Sequence, residues 1–336
     1  MSATSINPPY LLFVGDARDA LAAKTAAGIL YWRRDWCLGQ VVWPGCGAQL
    51  DLPAMTVAEA ARAGARTLIV GVANAGGVIP APWVATLSEA LHAGMDVASG
   101  LHDRLDAIPA LRDAAAATGK RLIDVRHPTR TFAVGTGEPR PGRRLLTVGT
   151  DCSVGKMYAS LALVEEMQRR GVDAAFCATG QTGIFIAGDG VSVDAVVADF
   201  ISGATEWLSP ANDPDHWDVI EGQGSLFHPS FAGVSLGLLH GAQPDVLVMC
   251  HEPTRTHMRG LPTRALPSLT ECIAANVEAA RLTNPAVRCI GLAVNTRALA
   301  VGDAERYLDD TAAALGLPCV DPVRTGVAPL VDCIGL

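Results

Sequence analysis

The stretch that most limits how this chain can fold is residues 145–161, LLTVGTDCSVGKMYASL. An apolar run, Leu145 to Val148, enters a glycine-bearing turn, and from Tyr158 the sequence keeps the period of a helix. Strand, turn and helix in that order build an anion cradle. Backbone N–H groups of the turn and of the helix N-terminus converge on one point, and a lysine adds a mobile positive charge. The cradle residues are Gly149, Thr150, Asp151, Cys152, Ser153, Val154, Gly155, Lys156 and Met157. The pattern departs from the usual phosphate loop in spacing and in chemistry. Five residues rather than four separate Gly149 from Gly155, and Met157 occupies the place of the Ser or Thr that normally binds magnesium.

Such a unit belongs to a parallel sheet, and the rest of the chain has the same rhythm. At 336 residues the chain is long for one core, so two domains are expected. Strand-like segments at 10–14, 39–43, 67–72, 96–98 and 121–125 alternate with helix-like ones at 24–33, 57–63, 82–93 and 104–117. This alternation predicts an α/β, doubly wound parallel sheet over residues 1–126. Residues 127–143 are rich in Pro, Gly and Arg and carry no apolar period, which reads as a linker draped over the surface. From 144 to 336 the α/β rhythm resumes in longer units. Strands are expected at 145–148, 174–177, 217–220, 245–250 and 289–294, with helices near 155–170, 191–207, 230–240, 267–282 and 303–315. The second domain is therefore a P-loop-type parallel sheet.

Ligands of such sheets bind beyond the C-terminal ends of the strands. One loop there, 178–183, offers Thr179 and Gln181 beside the phosphate turn; a plain glycine turn is the alternative. The next, 218–229, places Glu221 at a strand tip, where a carboxylate holds magnesium or a water, or else forms a structural ion pair. His228 in the same loop is a candidate general base, or a histidine held by hydrogen bonds at the surface. A third loop, 250–264, gathers His251, Arg255, His257, Arg259 and Arg264. Arginine forks suit carboxylates and phosphates, so an anionic substrate is expected there, with a solvated basic loop as the alternative. His251 and His257 lack a third metal ligand in sequence. Asn295, ending a strand, either meets a purine edge or caps the next helix.

The totals narrow the class. A net charge of −8 speaks against a nucleic-acid partner. No apolar run reaches 18 residues, so no membrane span is expected, and MSATSINPPY lacks the features of a secretory leader. Nine scattered cysteines without CxxC pairs suggest reduced thiols in the cytoplasm and no metal site.

These residues also carry a resemblance. GTDCSVGKM, EGQG and GLAVN follow one another in the order seen in dethiobiotin synthetase. Over its whole length, with Gly76-Gly77-Val-Ile-Pro, Ala98-Ser-Gly100-Leu-His102 and Cys250-His-Glu-Pro-Thr-Arg255, the chain resembles the bacterial D-glutamate N-acetyltransferase family (DgcN type), long catalogued as DUF1611. That resemblance implies a Rossmann-like N-terminal domain before a P-loop NTPase-like one, and acetyl transfer from acetyl-CoA to the amine of D-glutamate. Under it Gly149 to Met157 would hold the phosphates of acetyl-CoA with Asn295 near the base. Arg255 and Arg259, with Thr179, Gln181 and His251, would bind the dicarboxylate. Lys156, Glu221 and His228 would act in catalysis. The dethiobiotin synthetase likeness implies instead an ATP-dependent ligase or kinase using ATP and Mg2+. A nucleotide-sensing module without turnover is a third reading. Homo-oligomers are common among such P-loop enzymes.

Overall fold

The computed structural model describes residues 6–335. Residues 1–5, the start of the segment read above as lacking a leader, lie outside the described residues. In chain order the elements are β1 (Tyr10–Gly15), α1 (Lys24–Trp32), β2 (Cys37–Val42), α2 (Val57–Arg62), β3 (Thr67–Val70), α3 (Ala81–His92), β4 (Asp96–Ser99), α4 (Pro109–Thr118) and β5 (Leu122–Asp124). They continue with β6 (Arg143–Gly149), α5 (Lys156–Arg169), β7 (Ala174–Cys177), α6 (Gln181–Ala187), α7 (Ile201–Leu208), β8 (Trp217–Ile220) and α8 (Ala232–Ala242). The last are β9 (Val246–His251), α9 (Leu269–Ala280), β10 (Arg288–Val294), α10 (Val301–Leu315), β11 (Cys319–Val320) and α11 (Ala328–Asp332).

Contacts divide the chain into two units. One holds the residues up to 130 together with 180–195; the other holds 131–179 and 196–336. The first unit contains a parallel sheet in the order β2-β1-β3-β4-β5. Every residue of β1, β3 and β4 is buried, as both faces of an all-parallel sheet require. Trp83 of α3 packs edge-on against Phe13 with ring centroids 5.2 Å apart, and its Nε1–H donates to Asp16 Oδ1 at 2.8 Å. α6 belongs to this unit. The Tyr10 hydroxyl donates to Phe185 O (3.4 Å), Arg33 Nε to Ile186 O (3.1 Å), and Arg126 is paired with Asp194.

The second unit contains a parallel sheet in the order β11-β10-β9-β6-β8-β7. The chain starts at β6 in the middle, goes out through β7 and back to β8, then crosses to β9 and continues outward. The order therefore reverses at β6, and the loops following β6, β8 and β9 meet beyond the C-terminal ends of adjacent strands.

Several sequence expectations are corrected. α4 begins at Pro109, not near 104, because Ile108 is held extended before the proline and Leu105–Ala107 forms a separate 3-10 turn. The helix expected over 191–207 is confined to Ile201–Leu208. Its first half is broken into 3-10 turns, and Asp194 there is bound by Arg126 and by Ser192. The 178–183 loop, expected as a ligand contact or a glycine turn, runs into α6 from Gln181. The segment after Arg130 has neither helix nor strand, yet it is fastened to the second unit. Thr136 and Gly137 N–H groups donate to Glu206, and Arg140 donates to Ser209 O (3.1 Å) and Gly241 O (2.8 Å).

Candidate functional site

The turn from Gly149 to Lys156 folds tightly enough that a side chain at Gly149 would lie 2.9 Å from Val154 and 3.0 Å from the Lys156 ammonium. Its start is tied to β9. Thr150 N–H donates to Cys250 O at 3.0 Å, and the Thr150 hydroxyl pairs with Nδ1 of His251 at 3.0 Å. Its tip is left-handed at Ser153 (φ 56°) and again at Gly155 (φ 102°). A serine in that region costs on the order of 1–3 kcal/mol, so the surroundings must hold it there. The arginines of the β9 loop provide this hold. Among the described residues the N–H groups of Ser153, Val154 and Gly155 find no acceptor, and they lead directly into the first turn of α5, where helical N–H groups also lack intrahelical partners. That is the donor set an anion needs.

Asp151 is the unexpected member of this cradle: a fully buried carboxylate in a site built for anions. Its charge is answered locally. Oδ1 accepts the N–H of Cys152 (2.7 Å), and Oδ2 accepts Nη1 of Arg255 (2.7 Å) and the N–H of Arg259 (2.7 Å). Arg255 also donates to Cys152 O (2.5 Å) and is steadied by Glu252 at 3.2 Å, while the Arg259 guanidinium bonds Ser153 Oγ. Two predicted substrate residues are thus brought to the phosphate turn and clasp it.

Lys156 is buried at 7% exposure, with its ammonium donating to Asp151 O (2.9 Å) and Gly224 O (2.8 Å). Burial is the dominant influence and draws its pKa below the usual lysine value; nearby Cys250, Cys152, Asp151 and Glu221 oppose it. Met157 follows on the first turn of α5, half-buried.

The β8 loop packs beside this turn. A side chain at Gly222 would lie 1.7 Å from Thr147 O, and its N–H donates to the Thr147 hydroxyl, which also pairs with Ser160 at 3.0 Å. Glu221 accepts the N–H of Thr179 (3.0 Å), and the Thr179 hydroxyl donates to Glu221 O (2.5 Å). Ser225 Oγ donates to Thr150 O at 3.1 Å. His228 is buried, its Nε2 donating to Arg259 O (3.0 Å) and its Nδ1 accepting the N–H of Ser230 (3.2 Å). Both ring nitrogens are therefore engaged, which leaves no lone pair for a proton from substrate in this arrangement. His251 has its pKa pulled down to about 4 by burial, so the ring facing Thr150 is uncharged at neutral pH.

Two residues read as site members make bonds of their own. Gln181 opens α6 in the first unit, where its amide donates to Gly100 O (2.6 Å) and accepts from Arg126 (3.2 Å). Asn295 is beside the turn, its Cβ 3.7 Å from where one on Gly155 would stand, but its Oδ1 accepts the N–H of Arg297 (3.2 Å). His257 is exposed and bonded to Thr256. The roles of Thr147, Ser225 and Glu252 were not read from sequence. A carboxylate inside an anion cradle demands a cationic partner, and that rule applied to Asp151 would have pointed to the arginine loop.

A family model described as a domain of unknown function (DUF1611_C), P-loop domain, matches residues 131–331, and a Rossmann-like one (DUF1611_N) matches residues 39–128. The chain is 54% identical over 329 residues to a D-glutamate N-acetyltransferase of Tritonibacter scottomollicae, covering 98% of this chain and 99% of that protein. It is 50% identical over 326 residues to a D-glutamate N-acetyltransferase of a Pseudoalteromonas species, covering 97% and 98%. It is also similar to the crystal structure of a DUF1611 family protein from Anabaena variabilis, with a TM-score of 0.87, 33% identity and coverage of 98% and 99%.

Proposed function

The chain belongs to the DUF1611 family, and on that premise we propose that it is an N-acetyltransferase carrying acetyl from acetyl-CoA to the amine of D-glutamate. The observation that most supports the reading is the phosphate turn clasped by Arg255 and Arg259, in a chain similar over nearly its full length to enzymes named for that reaction. Acetyl-CoA supplies the activated thioester. The chain's part is to hold phosphate groups on the N–H donors of Ser153 to Gly155 and the first turn of α5, with Lys156 alongside. Thr150, Asp151 and Cys152 shape the turn, and Asn295 borders it. Arg259, exposed at the mouth, and the Nη2 side of Arg255 receive a substrate carboxylate, with Thr179 and His251 in the adjoining walls. Gln181, bonded to Gly100 and Arg126, stands beside that set in sequence.

The amine must be uncharged to attack. Of the two bases considered, Glu221 at the tip of β8 is kept, its carboxylate also accepting the N–H of Thr179, while His228 has both ring nitrogens bonded. The ATP and Mg2+ alternative draws less support. The hydroxyls that might replace the one missing at Met157 are Thr150, paired with His251, and Ser153, paired with Arg259. We place the enzyme in the cytoplasm as a homo-oligomer; no helix among the described residues is long and apolar enough to cross a membrane.

The test is to incubate the purified protein with acetyl-CoA and D-glutamate, and separately with Mg-ATP, following free thiol and ADP. Thiol release that requires D-glutamate and is lost in Lys156→Ala is expected. ADP release without thiol release would overturn the proposal.

A further inference from the structure

Two guanidinium groups at the C-terminal edge of the second sheet have no part in the site described above: Arg297 after β10 and Arg324 after β11, both exposed. The turn that carries Arg297 is held from two sides. Asn295 N–H donates to His251 O (2.8 Å), and Asn295 Oδ1 accepts the N–H of Arg297 (3.2 Å). Thr296 donates its N–H to Asp321 Oδ2 (3.0 Å) and its hydroxyl to the same oxygen. Asp321 Oδ1 accepts the N–H groups of Val323 (2.8 Å) and Arg324 (3.0 Å), and Arg324 Nη2 donates across to Leu299 O (3.1 Å). Asp321 is the only carboxylate in residues 295–300 and 321–326, it is 3% exposed, and both its oxygens are spent on these donors. It therefore fastens the two loops together without forming an ion pair with either arginine. Asn295 in turn borders Gly155 of the phosphate turn. Resting on the acetyl-transfer reading, we propose that Arg297 and Arg324 bind the 3′-phosphate of the CoA donor and so select it over donors that lack that group.

CoA carries a phosphomonoester on its ribose besides its pyrophosphate, and the two need separate holds. The N–H donors of Ser153 to Gly155 and the first turn of α5 serve the pyrophosphate. Arg255 and Arg259 are bonded to Asp151 and Ser153 and receive the substrate carboxylate. A further phosphate calls for further cations. Arg297 lies two positions beyond Asn295, so a nucleotide with its pyrophosphate on the turn and its base near Asn295 brings its ribose to that side. A planar guanidinium fork matches phosphate oxygens in geometry as well as charge. The Arg297 side chain makes no hydrogen bond or ion pair among the described residues, and Arg324 spends one N–H on Leu299 O, so both keep donors for a ligand. In a chain of net charge −8, two cations without acidic partners beside an anion cradle supply attraction where the overall field would repel a polyanionic donor.

The experiment compares two donors on the full chain, acetyl-CoA and acetyl-3′-dephospho-CoA, with D-glutamate as acceptor and free thiol as the readout. The wild type should favour acetyl-CoA by about tenfold or more in kcat/KM, through KM rather than kcat. In Arg297→Ala and in Arg324→Ala the preference should narrow, and in the double variant it should fall to about twofold or less. The ratio between donors is the decisive reading, because a substitution that only loosened the loops would slow both donors alike. A wild-type preference below about threefold, or one that the double variant retains, overturns the proposal while the acetyl-transfer reading stands. Titration calorimetry with CoA and with 3′-dephospho-CoA reads the same preference where a variant is too slow to assay. It also separates the two readings if the wild type turns over neither donor. Tighter binding of CoA that the double variant loses would then keep this site and sink acetyl transfer, whereas equal binding, or none, overturns both.

Discussion

Replacing Arg255 with Gln tests whether the arginine loop holds the phosphate turn. Asp151 has no side-chain exposure and Arg255 has 18%, with 2.7 Å between Oδ2 and Nη1. Removing one partner from a buried ion pair costs about 3–5 kcal/mol, since the other charge stays behind unpaired. Asp151 keeps the N–H groups of Cys152 and Arg259, and Arg255 is partly wetted, so the lower end applies. A loss of about 3 kcal/mol is about a hundredfold in the opening equilibrium. The loss should be local. Hydrogen–deuterium exchange of peptides from β6 and α5 should speed up by about that factor, while β1, β3 and β4 in the first unit keep their protection. Asp151→Asn in the Arg255→Gln background should restore part of the protection by removing the stranded charge. An acceleration below about threefold, or no recovery in the double variant, would refute the view that this pair holds the turn.

Acid should weaken the same region through His251. Burial places its folded pKa at about 4 against 6.5 for an ordinary histidine, so between those values the unfolded chain binds a proton that the folded chain refuses. Stability then falls as pH drops through that window, by about 2 kcal/mol at about pH 5 relative to about pH 8. Urea midpoints at the two pH values should show this in the wild type, and His251→Asn should flatten it; an equal slope in both would discard the assignment. Gly222→Ala should be among the most damaging single-methyl changes in the second unit. Its Cβ would meet Thr147 O at 1.7 Å, and backbone on both sides cannot yield cheaply. A loss of about 3 kcal/mol or failure to accumulate is expected, and a thermal midpoint like that of the wild type would show that the loop shifts freely.

Much of this was readable in advance because parallel strands must be apolar runs and helices must keep their period. β7 and β8 start and end where the sequence placed them, and the loops after β6, β8 and β9 do meet. What stayed hidden depends on partners distant in sequence. Nothing near Asp151 says that it faces Arg255 more than a hundred positions later, or that His228 is held by Arg259 O. The partners of Gln181 were hidden for the same reason. A glycine-flanked Gln after a strand has the composition of a ligand loop, and only tertiary structure reveals α6 and its bonds to Gly100 and Arg126.

The chain passes from one unit to the other after residues 130, 179 and 195. During synthesis this imposes an order. The earlier sheet cannot receive α6 until β6, α5 and β7 have already left the ribosome, so the acceptors that Phe185 and Ile186 provide for Tyr10 and Arg33 arrive late. A gene cut anywhere between 131 and 179 therefore yields an amino-terminal product missing a helix of its own core, and supplying 180–195 as a separate peptide is the direct way to restore it.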